Sequence, residues 1–446
     1  MLEPSRRDTR RVSWVALSFA FLVLLLGTPG HAENWPQWRG PYFNGSTTET
    51  NLPTQWSKTA GVAWATPLPG YSGATPVIWE ESVFVSSPDE QKNLLLLCLD
   101  RKSGQVRWQK VVAVGDRQAG RNNAASPSPV TDGQRVFVLF ATGDLAAFDF
   151  AGQELWRRNL AKEYGRFANM WMYGSSPMFY GGRLYVQVIQ SNPRPAGYRH
   201  AQGDPPERES FLLCLDPPSG TNLWRHIRPS DARSEAQEAY TTSMPVTGKA
   251  GVEIIVVGGN YVTAHSADTG AELWRCGGLN PRNEMYWRTV PSAVAADGMI
   301  IACGPKGDPV LGIRDGGKGL VTDTHIAWKM MEFTSDCVTP LFYQHKLFVL
   351  DGDHQVMTCL DPQTGTKKWR GNLGVKEIFR ASPTGADGKL YCLSESGTAV
   401  VLEVGDEFKI LATIQMGESP VRSSIAVAHG ELFIRTAKHI YCVRKP

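Results

Sequence analysis

One unit recurs along this chain and restricts what it can fold into. Cys98-Leu99-Asp100-Arg101-Lys102-Ser103-Gly104-Gln105-Val106-Arg107-Trp108 returns as Cys214-Leu215-Asp216-Pro217-Pro218-Ser219-Gly220-Thr221-Asn222-Leu223-Trp224, and again from Cys359-Leu360-Asp361 through Thr364-Gly365 to Trp369. Looser copies end at Trp156, after Asp149 and Gly152, and at Trp274, after Asp268, Thr269 and Gly270. In these five copies the tryptophan comes four residues after the glycine; a degenerate copy without the glycine ends at Trp328. A short unit that cannot bury its own faces must stack on its neighbours, so such a period implies a repeat architecture.

Each copy is preceded by a second pattern: Ser/Thr-Pro (Met-Pro or Val-Pro in two copies), a short apolar segment, a Gly turn and another apolar segment. Ser128-Pro129, Ser176-Pro177, Met244-Pro245, Val290-Pro291, Thr339-Pro340 and Ser382-Pro383 open these stretches. β-Branched residues, period-two alternation and Gly/Asp turns mark strands in hairpins, and no stretch of comparable strength has a helical period. One unit therefore holds four antiparallel strands, the last bearing the tryptophan, and radial stacking protects its faces and edges. The tryptophan markers fall at Trp64, Trp108, Trp156, Trp224, Trp274, Trp328 and Trp369, with an eighth slot near Phe408. The last unit, Ser424 to Val443, has only three strands, and Gly61-Val62-Ala63-Trp64 can supply the fourth. The expectation is an all-β, eight-bladed β-propeller over residues 61–446, about 48 residues per blade, clasped shut by an N-terminal strand.

Residues 1–32 carry Arg6, Arg7, Arg10 and Arg11, the apolar run Val12 to Leu26, and Gly30-His31-Ala32. This reads as a secretory signal peptide cleaved after Ala32, too short in its apolar run to span a membrane, with no cysteine nearby to carry a lipid. A periplasmic or secreted protein follows, with residues 33–60 as an arm packed on the propeller by Trp35, Trp38 and Trp56. The net charge of +3 on 446 residues leaves no excess of cations for nucleic acid. A monomer is expected, with no membrane span after cleavage.

The Asp-x-x-Ser/Thr-Gly-x-x-x-Trp copies resemble the tryptophan-docking motif of quinoprotein-type propellers, the pyrroloquinoline quinone (PQQ) repeats. Trp35-Pro36-Gln37-Trp38-Arg39-Gly40-Pro41, His325 to Lys329 and the closing Arg435 to Cys442 are similar to exported PQQ-binding-like propellers. The family includes PQQ-dependent dehydrogenases and the propeller subunit of the outer-membrane barrel-assembly machinery. The sequence departs from both. It has no vicinal cysteine pair, no Cys-x-x-Cys-His for haem, and no lipid-bearing cysteine.

Eight cysteines in an exported chain invite disulfides. Cys98, Cys214, Cys359 and Cys442 occupy equivalent positions in different blades and read as small buried residues, while Cys276, Cys303, Cys337 and Cys392 stay open. None has zinc spacing. Gly312 to Gly319 falls short of a phosphate loop, since it lacks the terminal Ser/Thr and the following helix. Ser191 to Glu209 reads as an exposed loop of the third blade, and Cys303 to Gly319 enlarges the fifth.

The segments entering each innermost strand converge on one mouth of the channel. They bring Tyr71, Asn122, Trp171, Tyr173, Tyr240, Tyr286, Trp287, Arg288, Arg380 and Arg422, with Glu284 and Asp336 as the carboxylates. Rings that stack and guanidinium forks suit a planar or sugar-like ligand with negative groups, an acidic glycan or a peptide strand. The competing reading has aromatics plugging the funnel and arginines paired with carboxylates. No catalytic constellation is recoverable from the sequence, so the expected role is non-catalytic binding or scaffolding in the cell envelope, toward a protein, a glycan or a small anionic ligand. The alternative is a PQQ-dependent dehydrogenase with Ca²⁺ beside the quinone, Glu284 or Asp336 as base, and Trp287 or Trp171 stacking.

Overall fold

The computed structural model describes residue 1 and residues 33–115, 118–119, 122–192, 207–248 and 251–445. The proposed signal peptide, and residues 193–206 of the third-blade loop, lie outside the described residues. From residue 62 onward the chain forms eight four-stranded antiparallel blades, in sequence order around the ring. Blades one to seven span residues 77–114, 130–159, 178–227, 244–276, 294–330, 341–372 and 384–415. Blade eight combines Ala426–Ala428, Glu431–Arg435 and His439–Val443 with Val62–Pro67 from the other end of the chain. The closing register pairs Trp64 with Cys442, Ala65 with Tyr441 and Thr66 with Ile440.

Each blade lies between two neighbours, so its inner strands are covered on both faces. Asn93–Asp100 has six consecutive buried residues, Leu94 to Leu99. Alternation survives on outermost strands such as Val106–Val114, where one face meets water. The buried clusters accordingly fill the gaps between blades. One joins Phe137, Leu139 and Leu145 to Leu184, Val186 and Leu213 of the following blade.

The tryptophans are the fasteners. Trp64 lies over Gly104 of the next blade, where a Cβ would sit 2.5 Å from the indole, and its Nε1–H donates to the Arg101 carbonyl at 2.7 Å. Gly104 also needs its positive φ of 72° for the turn, so one residue type meets both demands. The arrangement repeats as Trp108 to the Phe150 carbonyl, Trp156 to Pro217, Trp224 to Ala267, Trp328 to Pro362 and Trp369 to Gly405, at 2.8–3.1 Å. Trp274 departs from the expected docking role. Its Nε1–H donates to Glu253 Oε2 of its own blade at 2.9 Å. The next blade lacks the Ser/Thr-Gly turn, and Gly319–Leu320 instead pairs in parallel with the strand that bears Trp274.

Residues 33–60 cross the ring on the face where the innermost strands end. Trp35 bridges to Ile78 of blade one, the Pro36 carbonyl accepts from Thr131 of blade two, and Gln37 Oε1 accepts from Phe179 N of blade three. Arg39 is buried and donates to the carbonyls of Pro340 and Pro383, on blades six and seven, at 2.8 and 2.9 Å. Burial depresses its guanidinium to about 9. Ser46 then bridges to Gly385 of blade seven, and Trp56 packs near Tyr391. No helix among the described residues is long and apolar enough to cross a membrane.

Candidate functional site

The Ser/Thr residues ahead of each innermost strand form a belt around the axis. Thr75 N–H donates to Ser128 Oγ, Ser128 to Ser176, Ser176 to Thr242, Thr242 to Ser292, Ser292 to Thr339, and Thr339 to Ser382. Ser424 N–H donates to Thr75 Oγ1 and joins the last blade to the first. These seven bonds among the described residues are 2.8–3.3 Å long. A hydroxyl that accepts one N–H still has a proton to give. At five of the eight positions the next residue is proline, which holds the belt residue extended and removes an N–H from the channel-facing edge.

Above the belt opens a cavity of about 440 Å³, within the usual range for small-molecule sites. Ser128, Ser176, Thr242, Thr339, Ser382 and Ser424 line it, and Trp38 of the arm reaches it from the far side. Of the residues expected at the mouth, Asn122, Trp171, Tyr240, Arg288, Asp336, Arg380 and Arg422 line this cavity.

Five others do not, and each has a physical reason. Tyr71 is taken up by Arg422, whose Nη1 donates to its hydroxyl at 3.1 Å. Tyr173 is buried and donates its hydroxyl to the Gln187 carbonyl at 2.7 Å, so it packs the blade interface; burial pushes its phenol far up. Tyr286 is 55% exposed to solvent away from the wall. Trp287 is tied by its Nε1–H to Asp308 Oδ2 at 2.5 Å, with Arg282 and Lys306 over its ring. Glu284 pairs with Arg282 at 3.4 Å.

Among the described residues, each arginine of the wall is met by a carboxylate. Arg288 forks onto Asp336 at 3.1 and 3.2 Å, and Arg380 onto Asp353 at 2.6 and 3.0 Å. Arg422 reaches Glu395 Oε1 from Nε and Nη2, both at 2.6 Å, and donates to Tyr71 Oη at 3.1 Å. Asp353 and Glu395 hold the same place in successive blades, two residues past the second strand. Burial alone would raise the Asp336 carboxyl, but the charge and hydrogen bonds of Arg288 bring it below its ordinary range. Cys337 also lines the cavity; burial first, and then Asp336, pushes its thiol up to about 12. All eight cysteines are free, and the other seven are buried.

Trp171 is 42% exposed yet held on two sides. Its Nε1–H donates to Glu235 Oε1 at 2.8 Å and its backbone N–H to Tyr240 Oη at 3.0 Å. Tyr240 donates in turn to Glu238, 2.6 Å away, whose carboxyl burial raises. Met172, the next residue, sits at a φ of 74°, unusual for a non-glycine and a mark of enforced geometry. Sequence reasoning missed this support and also the carboxylates at Asp353 and Glu395. The Ser/Thr-Pro signal was visible, but only the ring turns it into a belt.

The quinone–calcium pair implied by the resemblance can be tested on these donors. Calcium takes six to eight oxygens, several from carboxylates. The wall offers one carboxylate, Asp336, already forked by Arg288, and no group of three metal-ligating side chains occurs among the described residues. The donor set does not fit calcium at this mouth.

Residues 45–196 match the family described as outer membrane protein assembly factor BamB. No curated protein matches the chain in sequence. The solved structure of BamB from Moraxella catarrhalis is similar at a TM-score of 0.58 and 13% identity, covering 85% of this chain and 99% of that one. The quinohemoprotein alcohol dehydrogenase ADHIIG from Pseudomonas putida HK5 gives 0.63 and 11%, covering 92% and 80%. The C-terminal WD40 domain of Sif2 gives 0.56 and 10%, covering 85% and 97%. An assembly factor, an oxidoreductase and a WD40 domain share the architecture, so at these identities the likeness is one of fold. The eight closed blades make this chain an eight-bladed β-propeller, of which residues 45–196 are similar to the BamB family model and the whole ring to the solved BamB fold.

Proposed function

We propose that this protein is a non-catalytic binding propeller of the cell envelope, exported by its N-terminal segment, which presents the central mouth to a ligand or partner. The observation that carries the reading is the pairing inside the mouth. Arg288, Arg380 and Arg422 are each engaged by a carboxylate, and Asp336, the one candidate base among the described residues of the cavity, is held ionised in a fork. A general base needs a free lone pair within reach of the proton it removes. Here the polar groups are pre-positioned by each other, which suits recognition. The BamB-like fold supports a binding role, and the arginine-flanked apolar run before residue 33 supports export. The test is dye-linked oxidation of alcohols and sugars after incubation with PQQ and Ca²⁺, with fractionation of cells producing the native chain. The reading expects no turnover and an envelope location. Turnover lost in Asp336→Asn would overturn the non-catalytic role, and a cytosolic location would overturn the envelope assignment.

A further inference from the structure

Three arginines alone would suit an anionic ligand, but their pairing with carboxylates changes what the mouth can hold. A carboxylate ligand would have to displace Asp336, Asp353 or Glu395 from a two-point ion pair, giving up as much as it gains. Among the described residues the wall is close to electrically balanced, with Glu235 3.6 Å from Arg288 as a further acidic group. A forked pair at the rim offers a carboxylate that accepts and a guanidinium that donates, side by side. Adjacent hydroxyls on a ring present the complementary set, because each both donates and accepts. The Ser/Thr belt below supplies more groups of the same kind. Trp171 adds an exposed face whose orientation Glu235 and Tyr240 fix in advance. Resting on the binding role set out above, we propose that the mouth takes an uncharged polyhydroxylated ligand, the sugar ring of a neutral glycan. The ring stacks on Trp171, and its hydroxyls bridge the arginine–carboxylate pairs.

The test is an array of neutral and acidic glycans probed with the full chain, followed by titration calorimetry on the strongest neutral hit. Binding to a neutral glycan is expected, with affinity changing less than about twofold between about 0.1 and 0.5 M NaCl, since no net charge is neutralised. Trp171→Ala should weaken it by about tenfold or more at an unchanged melting temperature, and Trp171→Tyr should restore part of it. A silent neutral set overturns the inference. So does binding confined to acidic glycans, PQQ or peptides, or neutral binding indifferent to Trp171→Ala. The two readings fail separately. Quinone-dependent turnover would remove the non-catalytic role, whereas tight, salt-sensitive capture of PQQ without turnover would remove only the neutral ligand.

Discussion

Removing the indole at the ring closure should cost more than any hydrogen-bond count along the closing strand suggests. Trp64 is 8% exposed, lies against Gly104 and Phe433, and caps the Arg101 carbonyl at 2.7 Å. Its strand runs through residues 68–76 into the first blade but is held to the last blade only by hydrogen bonds to His439–Val443 and by packing such as that on Phe433. A buried tryptophan covers about 150–250 Å², so area alone gives about 4–6 kcal/mol as an upper bound, and core truncations of this size measure about 3–5 kcal/mol. Trp64→Ala should therefore destabilise by about 4 kcal/mol. Trp64→Phe keeps most of the area and loses the N–H bond, which costs about 1 kcal/mol. Urea unfolding followed by both far-ultraviolet circular dichroism and tryptophan fluorescence provides the assay, with Trp108→Ala as the control at a joint inside the chain. Trp64→Ala should also separate the two transitions, because the ends can fray before the ring melts. A loss below about 1 kcal/mol with coincident transitions would refute the reasoning that this side chain holds the ring closed.

Three further outcomes are expected. Gly220 has a φ of 70° and a Cβ there would meet Trp156 at 2.7 Å, so Gly220→Ala should cost about 2–4 kcal/mol in denaturant melts, whereas Gly181→Ala, with open space around it, should cost about 1. His265 is buried, and burial first, then the Arg228 charge, lowers its pKa to about 3. The unfolded chain, titrating near 6.5, then binds the proton that the folded chain refuses. Stability should fall by about 2 kcal/mol between pH 7 and 5, and His265→Gln should flatten that slope in melts across the range. Cys337 is the one cysteine not fully buried and its thiol sits near 12, so native maleimide labelling should be slow, rise with pH and vanish in Cys337→Ser. Labelling of the Ser variant without denaturant would contradict the burial of the other seven.

The legibility of this protein has a definite boundary. Glycine and tryptophan four residues apart report a contact whose two partners recur at fixed intervals, so blade number, strand order and closure by Trp64 could be counted along the chain. Trp274 marks the limit. Its spacing is regular, but its docking partner belongs to the next blade, whose turn is replaced by residues 315–325. The mouth behaves likewise. Position in the repeat was enough to bring Asn122, Trp171, Arg288, Arg380 and Arg422 to one cavity. It could not say that Tyr173 turns inward or that Asp353 and Glu395 turn toward the arginines, because side-chain direction and charge pairing depend on groups from the adjacent blade. Local periodicity thus determined the scaffold, since each blade carries its own strand and turn chemistry. Whether the wall is charged or balanced was decided only when residues from consecutive blades met around the axis, because an ion pair is a property of two positions that the linear order keeps apart.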